Sequence, residues 1–358
     1  MNKNFLIRWM MISIIASFAG IWPEIAAAQD ATTYFQKGTE YLREGKLNEA
    51  IAALEEATNL KSDYVAAYNN KGLAYYKKYE ETDDPILKTK ALDAYTAAFG
   101  LDPKNAEVNN NLGIYHFKQG PSFYGQAEFH YGEALPLSQA QEKPYHADVY
   151  SNLGVIYAEE GLSINAEDAY NNAIRITESK KLGYTNAYYN RGNLFYNQGN
   201  DLKWQAKQSE AIIKFNQAIS DYTVTINFYK NAKDLEGFPD AYHNAYYNRG
   251  LCKYDKGQYN EAIPDYEEAI ELNPGFMWAY YAKGYAYFMM DEYDKAIQEF
   301  TKVLNSDLDS YARYGMGVVF AQKGQDEDAL NYLNESCDLG NTWACDALTD
   351  NYKDLGQL

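Results

Sequence analysis

An aromatic residue, a glycine four positions on and a second aromatic three further form a pattern that returns along the chain. It is seen at Tyr34, Gly38, Tyr41; Tyr68, Gly72, Tyr75; Tyr150, Gly154, Tyr157; Tyr188, Gly192, Phe195; and Tyr280, Gly284, Tyr287. On a helix, aromatics seven residues apart share one face, and the glycine leaves a bare patch where a second helix can approach. A second pattern follows, spaced four and then three: Ala50, Leu54, Ala57; Ala91, Tyr95, Ala98; Ala166, Tyr170, Ala173; Ala262, Tyr266, Ala269; Ala296, Phe300, Val303. This predicts a partner helix. Between the two lie breaks such as Glu44-Gly45-Lys46 and Lys256-Gly257-Gln258, where glycine can end the first helix in a left-handed cap. Acids then open the second helix near its positive dipole end, as in Asn48-Glu49, Asn260-Glu261 and Asp326-Glu327-Asp328. Proline closes pairs at Asp102-Pro103 and Asn273-Pro274. The unit is a helical hairpin of about 34 residues.

Those residues resemble the tetratricopeptide repeat family over nearly the whole chain after residue 30. The resemblance implies an all-α fold, a right-handed superhelical solenoid of about eight helix-turn-helix repeats over 31–339. Repeats are placed at about 31–64, 65–105, 106–146, 147–184, 185–242, 243–276, 277–309 and 310–339. The spacing stretches around Glu80 to Thr89, around Asp201 to Gln208, through Pro136 to Pro144, and past Ala218 into Tyr222 to Tyr229, which reads as an extended second helix. His116 and Lys253 stand where a late first-helix aromatic belongs. From Cys337 to Cys345 the chain resembles the related Sel1-like repeats, and 340–358 is expected to cap the array. In the cysteine-rich members of that family, cysteines at this spacing clip a helix pair, so a Cys337–Cys345 disulfide is expected in an oxidising compartment. Two reduced cysteines filling a terminal helix pair are the alternative. Cys252 reads as a small buried hydrophobe.

Hairpins that hide their apolar faces only by stacking generate a long curved surface. In arrays of this family the first helices line its concave side. Positions three before the glycine and one and four after it share the helix face expected to be exposed there. They supply the candidate ligand groove: Asn69, Tyr76, Asn110, Tyr189, Asn193, Tyr196, Tyr247, Tyr254, Tyr281 and Tyr285. The groove is aromatic and amide-rich with almost no charge, which disfavours capture of a terminal carboxylate by positive donors. Tyrosine and asparagine suit an extended peptide or a helix, and a glycan could also stack on the rings. The same aromatics could simply fill space between neighbouring helices.

Composition narrows the function further. The formal charge is −18, with 36 tyrosines in 358 residues. Such a surface repels phosphate backbones and anionic lipids, so no nucleic-acid partner is expected. At the start, Lys3 and Arg8 precede an apolar run from Trp9 to Ile21, then Pro23 and Ala26-Ala27-Ala28, the layout of a secretory signal over residues 1–28. An uncleaved anchor is the alternative, although the run is shorter than the roughly 20 residues a membrane span needs. Cleavage would leave a product near −19, periplasmic or secreted and without stable membrane insertion.

Catalysis would need convergent titratable groups. The four histidines, His116, His130, His146 and His243, have no zinc-binding spacing, and Asp83-Asp84 and Asp307-Leu308-Asp309 lack the rest of a calcium loop. Neither a phosphate-cradling glycine loop nor a serine nucleophile elbow is present. No catalytic residue, metal or cofactor is therefore assigned. The expectation is a non-enzymatic protein-protein interaction scaffold of the cell envelope. A carbohydrate-binding module for cell-wall or exopolysaccharide handling is the alternative. A hydrolase, as proposed for some Sel1-like proteins, has no motif to support it.

Overall fold

Residues 30–136, 142–180, 186–231 and 242–349 are described by the computed structural model, and among them every regular element is helical. The secretory-signal assignment at 1–28 and the end of the cap from 350 onwards lie outside the described residues. The chain divides into two compact units, Met1–Ile156 and Tyr157–Leu358, with the boundary inside α7.

The first unit holds α1 (30–43), α2 (Leu47–Leu60), α3 (Val65–Thr82), α4 (Pro85–Leu101), α5 (Ala106–Phe117), α6 (Tyr124–Ala134) and most of α7 (His146–Glu159). Helices adjacent in sequence pack on one another: α2 on α3, α3 on α4, α4 on α5, and α5 on α6. The stretch from Glu80 to Thr89 is taken up by longer helices around a two-residue turn. There Asp83 adopts a left-handed φ of 53°, and Asp84 caps α4 by accepting from Ile86 N, with Pro85 opening the helix. The core gathers Tyr75, Tyr76, Leu87, Ala91, Tyr95, Val108, Leu112 and Tyr115. Next to it His116 and His130 stack at 5.6 Å, with His130 Nδ1 2.9 Å from Asn109 Oδ1.

In the second unit lie α8 (Ser163–Ser179), α9 (Asn186–Trp204), α10 (Gln208–Asn231), α11 (Tyr242–Asp255), α12 (Tyr259–Leu272), α13 (Met277–Phe288), α14 (Tyr293–Val303), α15 (Asp309–Gln322), α16 (Asp326–Asp338) and α17 (Thr342–Thr349). Each packs on the next, and the first helices of neighbouring pairs also touch, α9 with α11, α11 with α13 and α13 with α15. The extended second helix is α10, 24 residues long. Tyr222, Tyr246, Tyr266, Phe215, Phe300 and Leu333 are fully buried. Each such side chain contributes about 1.5–3 kcal/mol by leaving water.

The two sequence patterns interlock. A Cβ added to Gly250 would lie 2.6 Å from Tyr266 Cε1, and one on Gly284 2.6 Å from Phe300 Cε1. The glycine of the first helix thus receives the large residue that stands four after the alanine of the second. A polar rule runs beside it. Arg191 pairs with Asp221 at 2.8 Å, Arg249 with Asp265 at 2.6 Å and Lys283 with Glu299 at 3.4 Å. In each pair a base stands just before the glycine, and an acid just before Tyr222, Tyr266 or Phe300. From α7 onwards the turns within helix pairs share one geometry. Gly257 N donates to Tyr254 O at 2.8 Å and Gln258 N to Lys253 O at 2.9 Å, with Gly257 at φ 78°. Ala206 (φ 59°) and Asp291 (φ 60°) hold the same turn without the freedom of glycine.

Candidate functional site

The ten candidate groove residues fall into three settings. In the first unit, Asn69 and Tyr76 are buried and Asn110 is half-buried. Asn69 Oδ1 accepts from Asn111 Nδ2 at 2.9 Å, and the Tyr76 ring lies 5.7 Å from Tyr115 and 5.8 Å from Tyr79. The face expected to be open is closed here by the neighbouring helix pair, because Tyr115 of the next first helix, α5, packs against Tyr76.

Tyr189, Asn193 and Tyr196, all on α9, are tied into a network. Asn248 Nδ2 donates to Asn193 Oδ1 at 3.1 Å and to Tyr189 Oη at 3.2 Å, and Tyr222 Oη donates to Asn193 Oδ1 at 2.7 Å. Tyr196 Oη donates to Asp255 Oδ2 at 3.0 Å, while Lys203 Nζ holds the other oxygen at 2.8 Å. These amides and phenols spend their hydrogen-bonding capacity inside the unit.

The remaining four, Tyr247, Tyr254, Tyr281 and Tyr285, come together around a pocket of about 470 Å³. Leu251 and Ala282 complete the walls they share, and the fully buried Tyr266 lies beneath. Three further rings join them that the offset rule does not name: Trp278, Tyr311 and Trp343. Trp278 stands six before Gly284 and Tyr311 six before Gly317, one turn further along the face that carries Tyr281 and Tyr314. Trp343 comes from α17, where Cys345 is joined to Cys337 of α16 in a disulfide with Cα atoms 4.9 Å apart. Its indole meets Tyr311 at 5.9 Å and Tyr314 at 6.2 Å. Trp278 meets Tyr281 edge-on at 6.0 Å and an interplanar angle of 87°, and Tyr281 meets Tyr311 at 6.2 Å and 77°. Rings set this steeply make walls rather than a stack.

Among the described residues no charged side chain lines the pocket. Burial pushes the Tyr281 phenol up to about 12, and burial also raises Tyr247, Tyr254 and Tyr285. All four phenols therefore stay neutral near pH 7 and can donate a proton in a hydrogen bond. Burial likewise raises the Cys252 thiol, which removes its nucleophilic character. Among the described residues no group of three or more His, Cys, Asp or Glu side chains is placed to hold a metal ion, and no helix is long and apolar enough to cross a membrane.

Paired helices with glycine-to-aromatic contacts, turning on left-handed residues, define an all-α repeat array. Four tetratricopeptide repeat models match the chain, at residues 38–78, 147–180, 243–276 and 265–298. Tetratricopeptide repeats are thus present in both units. Hsp70-Hsp90 organizing protein 2 of Arabidopsis thaliana is 36% identical over 94 residues, which are 26% of this chain and 15% of that protein. Small glutamine-rich tetratricopeptide repeat-containing protein 2 of Saccharomyces cerevisiae is 26% identical over 192 residues, 53% of this chain and 51% of that one. The chain therefore matches about half or less of the length of these relatives. Among solved structures, PilF of Pseudomonas aeruginosa superposes with a TM-score of 0.52 at 17% identity, covering 70% of this chain and 95% of that one. At that identity the likeness shows the fold.

Proposed function

We propose that the chain is a non-catalytic interaction scaffold of the cell envelope that holds a segment of a partner protein in the aromatic pocket of its second unit. One observation carries this reading. A cavity of about 470 Å³, within the 300–1,000 Å³ usual for ligand sites, is walled among the described residues by eight aromatic rings and no charged group. Trp278 and Trp343 stand exposed at its sides, where aromatic anchors at interfaces contribute most of the affinity. The relatives whose names concern organizing other proteins, at 36% identity over 94 residues, support the same class of role. Location in a periplasm or outside the cell rests on the signal-like residues 1–28, and a mature N-terminus at Gln29 is its direct check.

A glycan is less well served. The lining offers phenol and indole groups but neither an amide nor a carboxylate to pair with sugar hydroxyls. The test places a photo-crosslinking residue at Trp278 in intact cells, with the same residue at Trp204, 90% exposed and outside the pocket, as control. A discrete protein adduct from position 278 and none from 204 is expected. Retention of the purified chain on polysaccharide, with no protein adduct from 278, refutes the reading in favour of carbohydrate binding.

A further inference from the structure

Rings elsewhere in this molecule are extensively used by the chain's own cations. Among the described residues Lys71 Nζ sits 4.6 Å from the Tyr68 centroid and Lys214 Nζ 4.8 Å from Phe195. Lys295 Nζ lies 5.2 Å from Tyr287, and the Arg249 guanidinium carbon 5.4 Å from Tyr246. These distances fall within the roughly 6 Å over which a ring face attracts a cation. The eight rings of the pocket differ. None of Tyr247, Tyr254, Tyr266, Trp278, Tyr281, Tyr285, Tyr311 and Trp343 has a lysine or arginine of the described residues over its face.

Three features of that pocket point the same way. Its rings meet at steep angles, 87° for Trp278 with Tyr281 and 73° for Tyr311 with Trp343, so several walls surround one space. It lacks an internal cation that would repel or compete with another. It also belongs to a chain of net charge −18, whose field concentrates positive ligands near its surface. Ring faces carry the negative end of the aromatic quadrupole, and their attraction for a cation grows as water is excluded.

We infer that the pocket is a cation-binding aromatic cage, and that the partner segment enters it with a basic side chain, lysine or arginine, as its anchor. This rests on the proposed scaffold reading and names the chemistry of its ligand. The phenols lining the cage stay neutral, so the attraction comes from ring faces and from the distant acidic field rather than from a salt bridge. The ring-face part of the affinity should consequently persist at high ionic strength, while the part that comes from the acidic field is screened away.

The probe is choline, compared with 3,3-dimethylbutan-1-ol, which has the same shape and no charge. Each is titrated against the full chain by tryptophan fluorescence and by calorimetry. Choline is expected to bind saturably and at least tenfold more tightly than the neutral alcohol. Trp278→Leu and Trp343→Leu, at side chains 44% and 57% exposed and so tolerant of change, should each weaken choline at least threefold without altering the helical circular dichroism. Equal or tighter binding of the neutral alcohol overturns the inference and leaves an apolar anchor in its place. Binding of neither probe overturns it too. In both cases a protein adduct at position 278 would still uphold the scaffold reading, so the two fail separately.

Discussion

Replacing the glycines of the first helices tests how the helix pairs are held. Gly72 and Gly113 lie on α3 and α5, and an added Cβ would come 2.6 Å from Tyr95 Cδ1 and 2.5 Å from Tyr131 Cδ1. Neither ring can move away, since Tyr95 and Tyr131 are 2% and 0% exposed. Gly100 on α4 and Gly132 on α6 are helical glycines of the same unit with nothing within 4 Å of the added atom. Alanine gains about 0.5–1 kcal/mol over glycine inside a helix. Overpacking a filled core costs about 1–3 kcal/mol. Gly100→Ala and Gly132→Ala should then be stabilising by up to about 1 kcal/mol, whereas Gly72→Ala and Gly113→Ala should be neutral to destabilising by about 2 kcal/mol. The difference between the pairs is the packing cost, roughly 1–3 kcal/mol, or about 2–12 °C in unfolding midpoint for a unit of this size. Thermal and urea unfolding followed by circular dichroism measure it. If all four alanines raise the midpoint equally, the glycines are not there to admit the rings, and the interlocking account of the fold is wrong.

Four other outcomes follow from other contacts in the structure. Ala206 pays for a left-handed φ of 59° that costs a non-glycine residue about 1–2 kcal/mol, so Ala206→Gly should stabilise by up to about 1 kcal/mol in urea unfolding, with a fall in midpoint contradicting the strain. Asp291→Gly should gain less, because Asp291 Oδ1 accepts from Tyr293 Oη at 2.8 Å and that bond is lost. The Cys337–Cys345 link closes a sequence separation of 8, for which chain entropy gives about 2.5 kcal/mol, so Cys337→Ser with Cys345→Ser should loosen α17 and red-shift Trp343 emission; unchanged emission would mean that packing alone seats the indole. Acid should weaken the first unit through His130, whose pKa is lowered to about 4 by burial and by His116. The unfolded chain takes up this proton near pH 6.5 and the folded one only near 4, so stability is retained above about pH 6.5 and falls as pH drops through the window between them. The slope is at most about 1.4 kcal/mol per pH unit, reduced by solvent at this half-buried ring, and His130→Gln should flatten that part of a pH-stability curve.

Much of the architecture could be read from the chain because each repeat states it redundantly. The glycine with its two aromatics and the alanine with its large neighbour are local patterns, and the structure joins them as Gly250 against Tyr266 and Gly284 against Phe300. The polar counterpart is equally local but becomes meaningful only through the packing. A base before the glycine and an acid before the large residue is legible as Arg249 and Asp265 once the interlock is known, since both lie one residue upstream of a contacting pair.

The groove was harder, and the reason is geometric. Offsets from a glycine say which face of a helix a residue occupies but not how closely the next pair covers that face. At Tyr76 the Tyr115 ring covers it, at 5.7 Å, and at Asn193 the amide of Asn248 does so, at 3.1 Å. Around Tyr281 and Tyr285 the face stays open, and its walls come from two places that the offsets did not reach. Trp278 and Tyr311 lie one turn towards the helix N-terminus, the direction in which helical side chains lean, so extending the rule to six residues before the glycine would have found both. Trp343 belongs to no repeat position at all. It reaches the pocket because a disulfide and the packing of Ala344 and Ala347 on Leu333 set α17 against α16, so the wall depends on the cap rather than on the periodicity. A site finished by the element that ends an array is the kind that repeat arithmetic leaves out, and Trp343 is accordingly the residue whose replacement should separate the pocket from the fold that carries it.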